Sequence, residues 1–179
     1  MTGHTIPENL DSGFTAADGR IVRIRPIRPE DAEIEQRFVR NLSAETRYLR
    51  FMDCMRELTP HLLERLTHVD FSRDMALIAV IDGPQGETEI GVARYAGDPA
   101  RQTCEFAIVI ADDWQGSGLG RCMMQRLIDL ARARGYKTMT GEFLADNRHM
   151  HHFVQHFGFR LRSHPQDAGI KLGELDLQP

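Results

Sequence analysis

Cysteine is scarce in this chain: three in 179 residues, Cys54, Cys104 and Cys122, with no C-x-x-C spacing. So sparse and odd a set excludes a disulfide framework and reads as reduced thiols in a cytosolic protein. Charge of one sign is also lacking. A net charge of −4 gives no sign of a nucleic-acid or acidic-membrane partner. Long apolar runs are absent, and the stretch from Met75 to Ile81 is far too short to span a bilayer. The first residues, Met1-Thr2-Gly3-His4-Thr5-Ile6-Pro7, have neither a basic nor an apolar region, so no signal peptide is expected. No internal repeat or low-complexity tract is visible.

What remains is an ordinary globular composition, 41% hydrophobic and 27% charged, long enough for one domain with a sizeable core. Its most informative segment is Gln115-Gly116-Ser117-Gly118-Leu119-Gly120. Before it runs Glu105-Phe106-Ala107-Ile108-Val109-Ile110, rich in strand formers. After it, Met123, Leu127, Leu130 and Ala131 recur at helical spacing. A strand, a glycine turn and a helix N-terminus together make an anion site. Glycine lets the backbone approach a ligand, and the unpaired N–H groups of the first helical turn point at it. A phosphate-bearing cofactor is the expected ligand. A P-loop would need Lys and Ser/Thr after the last glycine, where Arg121 and Cys122 stand. A dinucleotide fingerprint would need a glycine at Arg121. The pattern Q/R-x-x-G-x-G/A, which wraps the pyrophosphate of acetyl-CoA, fits at every fixed position.

The remaining elements follow from pattern and punctuation. Residues 1–19 are polar and read as a loose lead-in to a single domain over 20–179. Arg20 to Pro26 alternates as a first strand, and Arg20, Arg23, Arg25 and Arg28 read as a solvated edge. Pro29 with Glu30 and Asp31 opens a helix, and Ser43 and Thr59-Pro60 mark two more helix starts. Met75–Ile81, Thr88–Tyr95 and Thr103–Ile110 form a meander, turned at Asp82–Gly86 and at Asp98-Pro99. A helix ends at Gly135, a strand covers Lys137–Phe143, a helix Asn147–Phe157, and a closing hairpin Phe159–Ser163 and Ile170–Leu177. This order gives an α+β fold (three α/β layers): a mixed, mostly antiparallel sheet with helices on both faces. The crossover from Phe106 to Phe143 makes its two strands parallel.

Five stretches carry a resemblance to a known family. They are Arg47-Tyr48-Leu49-Arg50-Phe51; Val69 to Leu77 with its Asp70-x-x-x-x-Met75-Ala76 core; Glu105-Phe106-Ala107-Ile108-Val109; Asp113-Trp114-Gln115-Gly116-Ser117-Gly118-Leu119-Gly120-Arg121; and Asn147-Arg148-His149-Met150 up to Phe157-Gly158-Phe159. From about Arg20 onward the chain resembles the GNAT superfamily of N-acetyltransferases, and in particular the acetyltransferase domain of bacterial Pat-type protein-lysine acetyltransferases. The resemblance implies acetyl-CoA as co-substrate and a parallel strand pair that splays apart. Pantetheine would lie in that gap and bond the backbone of Ile108, Val109 and Ile110 as a strand would. Gln115, Gly116, Ser117, Gly118, Leu119, Gly120 and Arg121 would hold the pyrophosphate, Arg121 through its side chain or only its N–H. Asn147 matches a cofactor-contacting Asn and equally suits a helix N-cap.

Acetyl transfer to an amine needs a proton acceptor, because an alkylammonium with a pKa of about 10.4 cannot attack. Glu105 begins the strand leading into the cofactor loop, and the apolar residues after it suit a raised pKa. It also matches the family's catalytic Glu, the alternative being a strand-end acid facing water. The Tyr that many of these enzymes use as general acid falls here on Val154, and a thiolate leaving group with a pKa near 8.5 can depart without one. His152 and His156 lie one helical turn apart, a ligand spacing, yet no Cys, Asp or Glu on that helix completes a set, so no metal is expected. Cys104 falls on the face opposite Glu105 and reads as a packed thiol, and Trp114 as the base of the loop. The expected acceptor is a protein lysine. The alternatives are a small amine or amino acid, or a domain that binds acyl-CoA without catalysis.

Overall fold

The computed structural model describes residues 10–178. In chain order these form β1 (Ser12–Thr15), β2 (Ile21–Pro26), a 3-10 turn at Pro29–Asp31, α1 (Ala32–Asn41), α2 (Ala44–Phe51), α3 (Pro60–Thr67), β3 (Met75–Gly83), β4 (Gly86–Asp98) and β5 (Thr103–Ile110). A second 3-10 turn at Asp112–Trp114 leads to α4 (Leu119–Ala133), β6 (Thr138–Leu144), α5 (Arg148–His156), β7 (Arg160–Ser163) and β8 (Ile170–Asp176).

The helix starts lie where capping chemistry places them. Ser43 accepts from the N–H of Thr46, Thr59 from that of Leu62, and Asn147 from that of Met150, each satisfying a donor that its helix leaves unpaired. All eight strands join one sheet in the order β1-β2-β3-β4-β5-β6-β8-β7, and every pair is antiparallel except β5 with β6. Helices cover both faces. Gly91 of β4 faces Met123 of α4, whereas Arg94, three residues on and so of opposite parity, reaches Glu35 of α1 and the Leu66 carbonyl beside it in α3. The core is continuous: Leu119, Met123, Met124, Leu127, Ile128 and Ala131 of α4 belong to one buried cluster with Leu77, Ala93 and Met139 of the sheet.

Two expectations are corrected. The lead-in is not loose throughout: β1 pairs with β2 from Ser12↔Ile24 to Thr15↔Ile21, because β2 would otherwise expose a row of unpaired backbone groups. Residues 1–9 lie outside the described residues. The arginines are not simply a solvated edge either. With β1 on one side and β3 on the other, β2 is an interior strand, and Arg25 is buried. Its guanidinium donates to both oxygens of Asp31 at 2.7 Å and to Glu87 at 2.6 Å. Arg23 also pairs with Glu87, and Arg20 lies over the Trp114 ring at 3.9 Å. Arg20, Arg23 and Arg28 do stay exposed in their side chains, so Arg25 is the one that departs from a solvated edge, and the Arg28 N–H donates to Asp31.

A second buried polar cluster sits under α1. Glu35 accepts from Arg94 at 3.4 Å, while both oxygens of Glu89 and one of Glu35 have no hydrogen-bond partner among the described residues. Burial pushes the Glu89 carboxyl well above its usual range, and the charge of nearby Glu35 adds to the effect.

Two stability measurements follow from these clusters. Asp31→Ala should cost about 1–3 kcal/mol in urea unfolding, since it removes two hydrogen bonds of the buried Arg25 guanidinium and leaves Glu87 as its remaining carboxylate partner. Glu89 acts through pH. The folded protein holds its proton more tightly than the unfolded chain does, so stability falls as pH rises from the ordinary carboxylate range through the raised pKa. Urea unfolding at pH 5 and pH 8 should show a smaller fall for Glu89→Gln than for the wild type.

Candidate active site

β5 and β6 are held together by three pairs only, Thr103↔Thr138, Cys104↔Met139 and Glu105↔Thr140, and then separate. β5 stays bonded to β4 up to Ile110, so the separation leaves one edge of β5 open. Gly141, the first β6 residue beyond the pairs, lies against the Phe106 ring, where a Cβ would come within 2.3 Å. Beyond that point a cavity of about 570 Å³ opens, with Ile108, Val109 and Ile110 as one wall.

The glycine loop closes one end. Gly116 and Gly118 have φ of +76° and +90°, a region that side chains disfavour. Ser117 turns inward, donating to the Trp114 carbonyl at 2.6 Å and accepting from the N–H of Leu119 at 3.3 Å. Leu119 is wholly buried. These two residues therefore anchor the loop, whereas Gln115, Gly116, Gly118, Gly120 and Arg121 line the cavity. In the first turn of α4 the N–H groups of Gly120 and Arg121 have no carbonyl of their own helix to reach, which leaves a positive end facing the opening. Trp114 is buried beneath the loop, as its position implied. Asn147 caps α5 through its side chain and also borders the cavity.

Glu105 stands where the strands part, its side chain largely exposed. Partial burial raises its carboxyl pKa, the charge of Glu142 raises it further, and Arg50 opposes both. Cys104, of opposite parity, is buried, and burial pushes its thiol up to about 12, far from a reactive thiolate. Val154 is fully buried and supplies no proton. His151 packs on Phe143 and bonds the Leu144 carbonyl, while His149, His152 and His156 face the cavity. Among the described residues no three potential ligand side chains gather as a metal site would require.

Sequence reasoning missed one wall altogether. α2 contributes Glu45, Thr46, Leu49 and Arg50 to the cavity. Asp112 fixes this helix to the loop, accepting from the Ser43 N–H at 2.9 Å, the Ser43 hydroxyl at 2.7 Å and the Thr46 hydroxyl at 2.7 Å. Burial works against its charge, but those hydrogen bonds prevail and hold the Asp112 carboxyl below its usual range. Gln115 donates to the Ile110 carbonyl at 3.2 Å and to Thr46 at 3.4 Å, joining strand, loop and helix. Ser43 and the stretch Arg47 to Phe51 mark this helix in the sequence, but nothing local ties it to the cavity.

The acetyltransferase (GNAT) family matches residues 37–159. An acetyltransferase of Pseudomonas aeruginosa is 40% identical over 160 residues, covering 89% of this chain and 86% of that protein. The chain belongs to the GNAT acetyltransferase family. The GNAT domain of S. lividans PAT superposes with a TM-score of 0.86 at 27% identity, over 96% of this chain and 99% of that domain. The acetyltransferase Pat of Mycolicibacterium smegmatis is 31% identical over 157 residues, 87% of this chain but only 46% of that longer protein. Shorter matches, over about half of the chain, reach proteins named for acylating amino acids. As a GNAT enzyme the protein takes its acetyl group from acetyl-CoA. Among the described residues no helix is long and apolar enough to cross a membrane.

The loop geometry makes a specific demand. Around the position of a Gly118 Cβ the nearest atoms belong to Phe14 at 3.8 Å, so room exists and the cost of a side chain is conformational. Gly118→Val should fold yet bind acetyl-CoA at least about tenfold more weakly, given strain on the order of 1–3 kcal/mol at φ +90°. Calorimetric titration checks this, and unchanged affinity in a folded variant would detach the loop from the cofactor.

Proposed function

We propose that this protein acetylates a primary amine, in particular a lysine side chain of a protein, by direct attack within a ternary complex, with Glu105 as the general base. The observation that carries the reading is the position of Glu105 at the point where β5 and β6 part, within electrostatic reach of the cavity-lining Arg50, with its pKa raised by partial burial. A raised pKa brings a carboxylate closer to the working pH, where a general base is most effective. In this reading acetyl-CoA lies with its pantetheine along the open edge of Ile108, Val109 and Ile110. Its pyrophosphate lies at the loop from Gln115 to Arg121, and Asn147 lies beside it.

Glu105 accepts a proton from the ammonium group directly or through one water. The freed lone pair attacks the thioester carbonyl, and the carbon–sulfur bond breaks. The thiolate leaves with the pair of electrons, which an ordinary thiol pKa near 8.5 permits without a side-chain acid, and the second proton of the attacking nitrogen passes to the thiolate or to water as the neutral amide forms. Likeness to the Pat proteins favours a protein lysine, and the shorter matches to amino-acid acylating proteins favour a small amino acid as the second reading. We place the reaction in the cytoplasm, where three unpaired cysteines stay reduced.

Glu105→Gln keeps the shape and removes the proton acceptor. Turnover at pH 7 should fall by about 10²–10⁴, with acetyl-CoA affinity little changed. The wild-type rate should rise with pH through the pKa of the base. The residual rate of the variant should keep rising at higher pH, because only amine already deprotonated in solution reacts. Paired pH–rate profiles with one acceptor decide it, and wild-type turnover in the variant at pH 7 would remove Glu105 from the mechanism.

A further inference from the structure

Arg50 is a cation in the active-site cavity without an anion. It lies on the wall that α2 contributes, and among the described residues its guanidinium takes part in no hydrogen bond and no ion pair. Among the described residues its guanidinium has an aromatic neighbour, the Phe51 ring 4.9 Å away. The nearby charges are engaged elsewhere or out of reach: Glu35 pairs with Arg94, and Glu105 is felt only as a distant charge. The side chain opens onto the cavity and is half-buried, yet burial of the guanidinium and the like charge of Arg94 pull its pKa down to about 10. A desolvated charge left without a partner is costly, and native structures pair such groups.

The direction of α2 says which substrate would supply the partner. Thr46, near its start, is bonded to Asp112 and Gln115 at the loop end of the cavity. Arg50 lies one turn further on, about 6 Å along the axis, toward Glu105 and the point where the strands part. The loop end has its own donors for the pyrophosphate in the first turn of α4 and Arg121. The far end of α2 faces the other reactant.

We infer that Arg50 receives a carboxylate that the acceptor carries close to its reacting amine. This rests on the reading of Glu105 as the base that faces that amine. The shared chemistry is an ammonium and a carboxylate a few bonds apart, gripped by Glu105 and Arg50 respectively. An α-amino acid presents it through its own carboxylate, and a protein presents it through an acidic residue flanking the target lysine. A planar guanidinium binding a carboxylate through two N–H groups gives direction as well as attraction.

The test reads product binding, which needs no turnover and therefore stands apart from the role of Glu105. Calorimetry in the presence of saturating CoA would compare two pairs: N-acetylleucine with N-acetylleucinamide, and an ε-acetyllysine peptide flanked by Asp with the same peptide flanked by Asn. In the wild type the carboxylate member of one pair should bind roughly ten- to a hundredfold more tightly, and which pair does so identifies the source. Arg50→Met should bring that ratio to about one, and Arg50→Lys should keep part of it, since the charge remains without the fork. Equal binding within both pairs, no binding of any of the four at millimolar concentration, or a ratio that survives in Arg50→Met would overturn the inference. Loss of turnover in Glu105→Gln with the ratio intact would support both assignments. Normal turnover in that variant with the ratio intact would remove the base and keep the carboxylate site.

Discussion

Three backbone pairs hold β5 to β6, and the rest of the site exists because there is no fourth. An unpaired strand edge inside a sheet is normally a liability, since its N–H and C=O groups are left with nothing to bond. Here the edge from Ile108 to Ile110 faces a cavity of about 570 Å³ instead of a neighbouring strand. The Phe106 ring lies on Gly141, so β6 is held at the distance of an aromatic ring and not of a hydrogen bond. The last pair also fixes Glu105, whose side chain leaves the sheet where backbone bonding stops.

Asp112 does for the two walls what those pairs do for the strands. One carboxylate accepts from Ser43 twice and from Thr46, and Gln115 bonds Thr46 and the end of β5. The helix α2 and the glycine loop, which line two walls of one cavity, are thereby one connected unit. Such charge-assisted bonds are stronger than neutral ones and hold geometry better. The loop shape itself is local, set by two glycines at positive φ and by Ser117 bonding on both sides of itself.

Legibility in the sequence followed the range of the interactions. Capping by Ser43, Thr59 and Asn147 acts over three residues and could be read directly. The meander and the parallel crossover came from periodicity and turn residues, and the cavity-lining glycines from their spacing. Contacts between distant segments were silent. Nothing local in Arg25 says that Asp31 and Glu87 will enclose it, and a strand read as an edge proved interior because β1 was hidden in a polar stretch. The α2 wall depends on Asp112, more than sixty residues away, and no short window holds both. Ser117 and Leu119 belonged to the right motif, and the structure shows them holding the loop from behind.

The residues before Arg20 lie outside the stretches that carry family resemblance, and they brace the place where the cofactor's phosphates would sit. Phe14 stands behind Gly118, and Arg126 of α4 donates to the Leu10 carbonyl. A boundary drawn by motif would cut through this support, leaving the glycine loop with its backbone intact and its back exposed to water. The functional unit thus begins earlier than the recognisable one, and a fragment starting at Arg20 would keep every signature residue while losing the surface that keeps them in position.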